Sequence, residues 1–250
     1  MNTAERAEVE AALSHARRAT SALEALLAST VANDARPAPA ATVAAMAGLQ
    51  KPAAFYASVR AAKLLGEGLD QSEVNGCDAI LHACAGVYPL SWTAYALATA
   101  WLETAGTMQP IKEYGGHAYF KRMYDIEGER PAKARELGNL TPGDGARYCG
   151  RGYVQLTGKA NYLRAQEKLG QPLVTNPDLA MEPTAAASIM VRGMAEGWFT
   201  GKRLADYIPA LASRQHFKNA RRIINGQDRA DDIAGAAVSF QEALKAGDWR

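Results

Sequence analysis

The feature that most constrains this chain is a nearly uniform apolar segment at residues 91–103, SWTAYALATAWLE. Apart from hydroxyl groups, its one strongly polar side chain is the last, Glu103. A helix that is apolar on all sides is stable when it is buried on all sides. The segment therefore predicts a core helix around which the chain packs, with a carboxylate at its C-terminal end.

Most of the surrounding segments are also predicted to be helical. Asp70 followed by Glu73 has the pattern of a capping box that opens a helix. Further helices are predicted at residues 131–137, 159–170 and about 228–245. Two segments, 104–116 and 139–158, are instead punctuated by Gly and Pro and carry alternating aromatic residues, which suits a short hairpin and tight loops. The sequence thus predicts a mainly α protein with a small β element in the middle.

Composition excludes several classes of protein. The 250 residues carry 28 basic and 26 acidic side chains, so the net charge of +2 gives no bulk field to recruit nucleic acid or an anionic membrane. No apolar run approaches the length needed for membrane insertion, and the N-terminus MNTAERAEVE lacks the pattern of a signal peptide. We therefore expect a cytoplasmic protein. Its cysteines, Cys77, Cys84 and Cys149, have no metal-ligand spacing and are expected to be reduced thiols.

The first 52 residues are predicted to be distinct from the main domain at 53–250. Residues 1–31 have the pattern of an amphipathic helix, and residues 32–52 are rich in Ala with three prolines, which is typical of a linker. The helix has a heptad stripe formed by Val9, Leu13, Ala16, Thr20, Leu23 and Leu27. About two and a half heptads are short for a coiled coil, so the helix docks either on its own domain or on another protein.

Glu103 is the first candidate catalytic residue. Burial and the negative end of the helix dipole both disfavour a carboxylate anion, so we expect this acid to keep its proton near neutral pH. A protonated carboxylic acid is what a glycosidase needs to protonate a leaving glycosidic oxygen. The alternative is a solvated residue at a helix end that is bonded to a nearby arginine.

Glu113 is the candidate second carboxylate. It lies ten residues further on, in a segment where a returning loop would hold it across a groove from Glu103. Glycoside hydrolysis requires such a pair of carboxyl groups, one as acid and one as base. Two acids at this spacing are common by chance, and Glu113 would equally well pair with Lys112 or Lys121 at the surface.

The segment GRGYVQLTGKANY at residues 150–162 is the most informative motif. Its glycines permit close backbone approach, and Gln155 and Thr157 would share one face of an extended strand, with Asn161 opening the next helix. Such a polar face, with Tyr114 and Tyr153 as aromatic platforms, suits the recognition of a sugar polymer. The alternative is a structural strand whose side chains bond to the backbone. Arg151 is either a substrate contact or a residue that bonds loop carbonyls.

Three strings together resemble the glycoside hydrolase family 19 domain of chitinases and bacteriophage endolysins, with the endolysin branch more similar. They are WLETAGTMQPIKEYGG, ELGNLTPGDGARYCGRGYVQLTGKANY and RRIINGQ, and the likeness runs over residues 55–244. The resemblance implies a lysozyme-like α+β fold, a helical two-lobed domain with a small β-hairpin or sheet beside the active-site groove.

The resemblance also implies roles for individual residues. Glu103 matches the general acid, Glu113 the second carboxylate, and Thr157 the hydroxyl that holds the attacking water. Gln155, Asn161 and Asn225 match positions that line the sugar groove. The reaction implied is inverting hydrolysis, which needs carboxyl groups roughly 6.5 to 9.5 Å apart and neither a metal nor a cofactor.

The chain departs from the family pattern in two places. The residue before the acid is often His and is Leu102 here. In the plant enzymes the second Glu lies further along the chain, so Asp125 and Glu127 are reserve candidates for the base. Residues 1–52 match nothing in the family.

These observations favour an endolysin-type lysozyme or muramidase that cleaves β-1,4 bonds in peptidoglycan glycan strands. It would be made in the host bacterial cytoplasm and would reach the cell wall through a separate membrane lesion, causing cytolysis. The alternatives are a virion-associated lysin docked by its N-terminal helix, a chitinase, and a glycan-binding or structural particle protein without activity.

Overall fold

The computed structural model describes residues 48–66 and 68–250. The predicted helix at residues 1–31 and the predicted linker up to residue 47 lie outside the described residues. The helices in chain order are α1 (Pro52–Ala61), α2 (Gln71–Cys84), α3 (Leu90–Glu103), α4 (His117–Tyr124), α5 (Pro131–Glu136), α6 (Asp144–Arg147), α7 (Lys159–Leu169), α8 (Pro183–Glu196), α9 (Arg214–Ala220) and α10 (Ala230–Ala246). Short 3₁₀ turns occupy Pro177–Met181, Leu204–Asp206 and Arg221–Ile223.

Helix α3 is the core helix that the sequence predicts. Ten of its residues are buried, and it packs most extensively against α10. Helices α1 and α9 also pack on α10, which places α3 inside a helical bundle. The burial of nearly the whole circumference of α3 fixes where its last residue, Glu103, points.

The capping box predicted at the start of α2 is confirmed. The Asp70 side chain accepts from the backbone N–H of Glu73 at 2.8 Å, and the Glu73 side chain accepts from that of Asp70 at 3.0 Å. Further along α2, a Cβ at Gly76 would lie 1.8 Å from the carbonyl oxygen of Met108. The missing side chain lets the loop after α3 lie directly against α2.

A two-stranded antiparallel sheet joins the two irregular segments. Strand β1 (Ile111–Lys112) pairs with β2 (Arg151–Gly152), with Ile111 opposite Gly152 and Lys112 opposite Arg151. The strands are far apart in the chain and pair at long range. The β element is therefore a sheet of two distant strands and not the predicted β-hairpin. The pairing brings the residue after β1, Glu113, beside Gly150.

Buried apolar residues form two clusters. The large cluster surrounds α3 and α10. The smaller one contains Tyr148, Leu156, Tyr162, Ala165, Leu173, Ala180, Ile189 and Trp198. The predicted fold class, mainly helical with a small sheet, is confirmed.

Residues 48–52 are part of the folded unit, so the predicted linker does not extend through them. Leu49 is fully buried and forms a β-bridge with Trp249. The Lys51 N–H donates to the Gly247 carbonyl at 2.8 Å, and the Arg250 N–H donates to the Gly48 carbonyl at 2.8 Å. One large apolar side chain and pairing with the C-terminus outweigh an Ala- and Pro-rich composition here.

The cysteines are buried free thiols, as expected from their spacing: Cys77, Cys84 and Cys149. Within the described ranges, no helix combines the length and the apolar character needed to cross a membrane.

Candidate active site

Glu103 ends α3 with its carboxylate against the guanidinium of Arg221. The side chains are 20% and 3% exposed, respectively. Arg221 also donates through Nε to the carbonyl of Asp228 at 2.8 Å. Two contacts on a buried guanidinium therefore fix the position of the Glu103 carboxylate.

This environment differs from both of the alternatives that the sequence leaves open for Glu103, a protonated acid and a solvated residue paired with an arginine. The residue is bonded to an arginine, but neither side chain is solvated as a helix-end pair would be. No local sequence pattern reveals the guanidinium of Arg221, which lies against this carboxyl group.

Glu113 is held by hydrogen bonds at both carboxylate oxygens. Its Oε2 accepts from the backbone N–H of Gly150 at 3.1 Å, and its Oε1 accepts from the Tyr124 hydroxyl at 2.7 Å. Among the described residues Glu113 forms no ion pair with Lys112 or Lys121, and Lys121 pairs with Glu127 at 3.3 Å. Glu113 is therefore a positioned carboxylate at the end of β1.

Gly150 lies at the point where three predicted site residues meet. A Cβ at this position would lie 2.7 Å from Oε1 of Gln155, 3.0 Å from Oε2 of Glu113 and 3.2 Å from Oγ1 of Thr157. The three polar atoms surround one small space that only glycine leaves open. Oε2 of Glu113 and Oγ1 of Thr157 therefore border the same small space beside Gly150.

A tight turn brings Gln155 and Thr157 together, so the predicted extended strand is wrong at this point. Gln155 has a φ of 54°, in the left-handed region. Its Nε2 donates to the carbonyls of Ile111 at 3.0 Å and Gly152 at 3.1 Å. The Thr157 hydroxyl donates to the Gln155 carbonyl at 2.8 Å. These bonds to backbone make Gln155 a support of the turn as well as part of the site.

A groove of about 280 Å³ opens beside this turn. Its lining residues are Tyr124, Lys133, Leu137, Val154, Gln155, Leu156, Thr157, Asn161, Phe199 and Ile224. Asn161 donates through Nδ2 to the Thr157 carbonyl at 2.8 Å, which fixes that side chain near the start of α7. Asn225 follows Ile224 and is exposed. Three predicted site residues, Gln155, Thr157 and Asn161, thus line the groove. A fourth, Asn225, is the chain neighbour of a lining residue.

A second cavity, of about 450 Å³, borders the C-terminal end of α3. Its lining residues are Leu64, Leu65, Gly66, Glu73, Trp101, Leu102, Ala105, Gly106, Thr107 and Arg229. Leu102 supplies an apolar wall of this cavity. The chain neighbours of Glu103 therefore line an open space on the protein surface.

Two predicted substrate contacts are wrong because their side chains are buried. Tyr153 is fully buried, and its hydroxyl donates to the Met108 carbonyl at 3.2 Å. Arg151 is 5% exposed; it pairs with Asp178 at 2.8 Å and donates to the Cys149 carbonyl at 3.1 Å. Both residues hold the loop together. Tyr114, by contrast, is 89% exposed directly after Glu113, where a sugar ring can reach it.

The reserve candidates for the second carboxylate are not suited to that role. Asp125 is fully buried, and its carboxylate accepts from the backbone N–H groups of Glu127, Gly143 and Gly145 at 2.8 to 3.2 Å. Burial opposes the anion, but these three donors hold the pKa of Asp125 below its ordinary value. The exposed Glu127 pairs with Lys121. Asp125 is a structural anchor.

Sequence reasoning missed two residues of the site, Tyr124 and Arg221. Burial, together with the hydrogen bond to Glu113 and its charge, raises the pKa of Tyr124, so its hydroxyl keeps the proton that it donates. No local pattern singles out this tyrosine. Arg221 begins the string RRIINGQ, in which the sequence predicts a site role for Asn225 alone.

No metal centre is apparent in the site. Over residues 48–66 and 68–250, no three His, Cys, Asp or Glu side chains are grouped so that they would hold an ion.

The chain is similar to several known proteins. Residues 92–202 match the model of glycoside hydrolase family 19, described as chitinase class I. No curated protein sequence matches the chain. Among solved structures, chitinase C from Streptomyces griseus HUT6037 is similar, at 23% identity and a TM-score of 0.46 over 81% of this chain and 85% of that one. A mutant of chitinase C has 18% identity and a TM-score of 0.40 over 78% and 70%, respectively.

Proposed function

We propose that this chain is a glycoside hydrolase that cleaves β-1,4 bonds between the N-acetylated amino sugars of peptidoglycan, a proposal supported by the match of residues 92–202 to the glycoside hydrolase family 19 model. The observation that carries the proposal is the meeting of Glu113, Gln155 and Thr157 around Gly150 at the edge of a groove. The reaction is inverting, with Glu103 as the acid and Glu113 as the base.

The hydrogen bonds around Gly150 support a specific orientation of the attacking water. The Thr157 hydroxyl donates its hydrogen to the Gln155 carbonyl, so it can only accept a hydrogen bond from the water. The Glu113 carboxylate is also an acceptor. A water bridging the two thus turns both hydrogens toward the protein and a lone pair toward the sugar. Glu113 takes one of those protons as the oxygen attacks the anomeric carbon.

Glu103 supplies the proton on the leaving side. As the glycosidic bond breaks, its carboxyl group donates to the departing oxygen and becomes a carboxylate. The buried guanidinium of Arg221 stabilises that anion through a charge-assisted hydrogen bond. Because Arg221 also bonds to Asp228, the carboxylate keeps one position throughout the reaction.

Two polymers share the required linkage. The sequence likeness to the endolysin branch favours peptidoglycan, whereas the matching family model, described as chitinase class I, favours chitin as the second candidate. Purified protein should be incubated with peptidoglycan sacculi and with chitin oligomers, beside Glu103→Gln, and the products analysed by mass spectrometry. Fragments ending in reducing N-acetylmuramic acid support a muramidase, and release from chitin alone supports a chitinase. Release from neither polymer contradicts both and favours a non-catalytic glycan-binding role.

We propose that the enzyme acts as an endolysin from the bacterial cytoplasm. The alternative, a virion-associated lysin, requires the N-terminal segment for incorporation. Deletion of residues 1–47 tests this and spares Leu49, which belongs to the folded core. An endolysin without this segment still lyses permeabilised cells and is absent from particles with or without it, whereas a virion component loses incorporation.

A further inference from the structure

A chain of contacts joins the Glu113 carboxylate to the turn that carries Thr157. Tyr124, the last residue of α4, donates its hydroxyl to Oε1 of Glu113 at 2.7 Å. Its carbonyl accepts from Nδ2 of Asn139 at 2.9 Å. We propose that Tyr124 and Asn139 are positioning residues that fix the base relative to the water-binding hydroxyl, an inference that rests on the proposed function.

Asn139 provides the second half of this connection. Its side chain is fully buried, and Oδ1 accepts from the backbone N–H of Lys159 at 2.9 Å. Lys159 opens α7 two residues after Thr157. Because both ends of this buried amide are engaged, moving α4 away from the turn would leave an unpaired polar group inside the protein. Asn139 therefore holds the two parts of the site at a fixed separation.

Tyr124 controls the rotation of the Glu113 carboxylate. With Oε1 bonded to the hydroxyl and Oε2 bonded to the Gly150 N–H, the carboxylate plane has two tethers. Oε2 then faces Oγ1 of Thr157 across Gly150. Without the hydroxyl, one tether remains and the carboxylate turns away from the water. Tyr124 also lines the groove, and removal of its hydroxyl would leave the ring in place for binding.

The Tyr124→Phe variant separates these two parts. It should lower kcat by about 10- to 100-fold, as expected for loss of a hydrogen bond to a charged group, and change KM by less than about threefold. The matched control is Tyr207→Phe, since the Tyr207 hydroxyl has no hydrogen-bond partner among the residues described and lies outside the groove. That control should keep both constants.

Asn139 is tested by its coupling to Tyr124. If Asn139 acts through Tyr124, the double variant Asn139→Ala with Tyr124→Phe loses less kcat than the product of the two single losses. Should Asn139→Ala fail to fold, Asn139→Ser takes its place. Losses that multiply overturn the connection between the two residues.

A wild type that cleaves neither peptidoglycan nor chitin overturns the proposed function and the positioning roles with it. An active wild type whose Tyr124→Phe variant keeps kcat within about twofold overturns the positioning role of Tyr124 alone.

Discussion

Glu113 and Gly150 form a reciprocal pair of hydrogen bonds although they lie 37 positions apart. The Glu113 N–H donates to the Gly150 carbonyl at 2.9 Å, and the Gly150 N–H donates to Oε2 of Glu113 at 3.1 Å. The first bond extends the pairing of β1 with β2 by one residue, and the second orients the carboxylate. The small sheet thus brings together the two distant segments that form the site.

Substitution of Gly150 by Ala should disable the site while the protein still folds. The added methyl would lie 2.7 to 3.2 Å from three site side chains and displace them. We expect kcat to fall by about 100-fold, as for a misplacement of about 1 Å, with a stability loss of about 1–3 kcal/mol. Steady-state hydrolysis and urea unfolding measure the two effects.

Gly235→Ala is the matched control for this substitution. A Cβ at Gly235 meets nothing within 4 Å, and the residue lies inside α10. Alanine there should keep full activity and stabilise the protein by about 0.5–1 kcal/mol. Normal activity in the Gly150 variant would show that the three side chains do not need their present positions.

Replacing Arg221 by Met should damage both stability and turnover. The change leaves the Glu103 carboxyl group without its guanidinium partner and the Asp228 carbonyl without its donor, and loss of such a buried partner costs about 3 kcal/mol. Urea unfolding near neutral pH measures the loss. The exposed pair of Lys245 and Glu242 provides the comparison, since Lys245→Met should cost less than about 1 kcal/mol. Equal costs for the two variants would contradict a structural role for the Arg221 pair.

Asp125 should make folding stability sensitive to acid. Its pKa is lowered in the folded protein, so its charged form contributes stability above its unfolded value of about 3.9, and this is lost as pH falls through the lower folded value. The stability difference between wild type and Asp125→Asn should be constant above about pH 5 and shrink below it. Thermal unfolding at several pH values checks this, with the exposed Glu242→Gln as control. A stability difference between the two proteins that does not change with pH would show that the charge of the Asp125 carboxylate does not cause it.

The parts of the fold that the sequence predicts correctly are those set by local patterns. Helix α3 and the cap at Asp70 follow from residues within a few positions of each other. The site depends on long-range contacts: the turn at Gln155 needs carbonyls from both strands, and Arg151 is buried because loop carbonyls and Asp178 satisfy its guanidinium. Tyr124 reaches Glu113 only once α4 has folded back, so no spacing rule identifies it.

The most direct test of the account is the hydrolytic activity of Glu103→Gln on the polymer that the wild type cleaves. The amide keeps the size of the side chain but cannot donate a proton as an acid, so kcat should fall by at least about 100-fold while the circular dichroism spectrum is retained. The exposed acid Glu127 supplies the control, and Glu127→Gln should remain fully active. Activity of Glu103→Gln within about tenfold of wild type would contradict the assignment of Glu103 as the general acid.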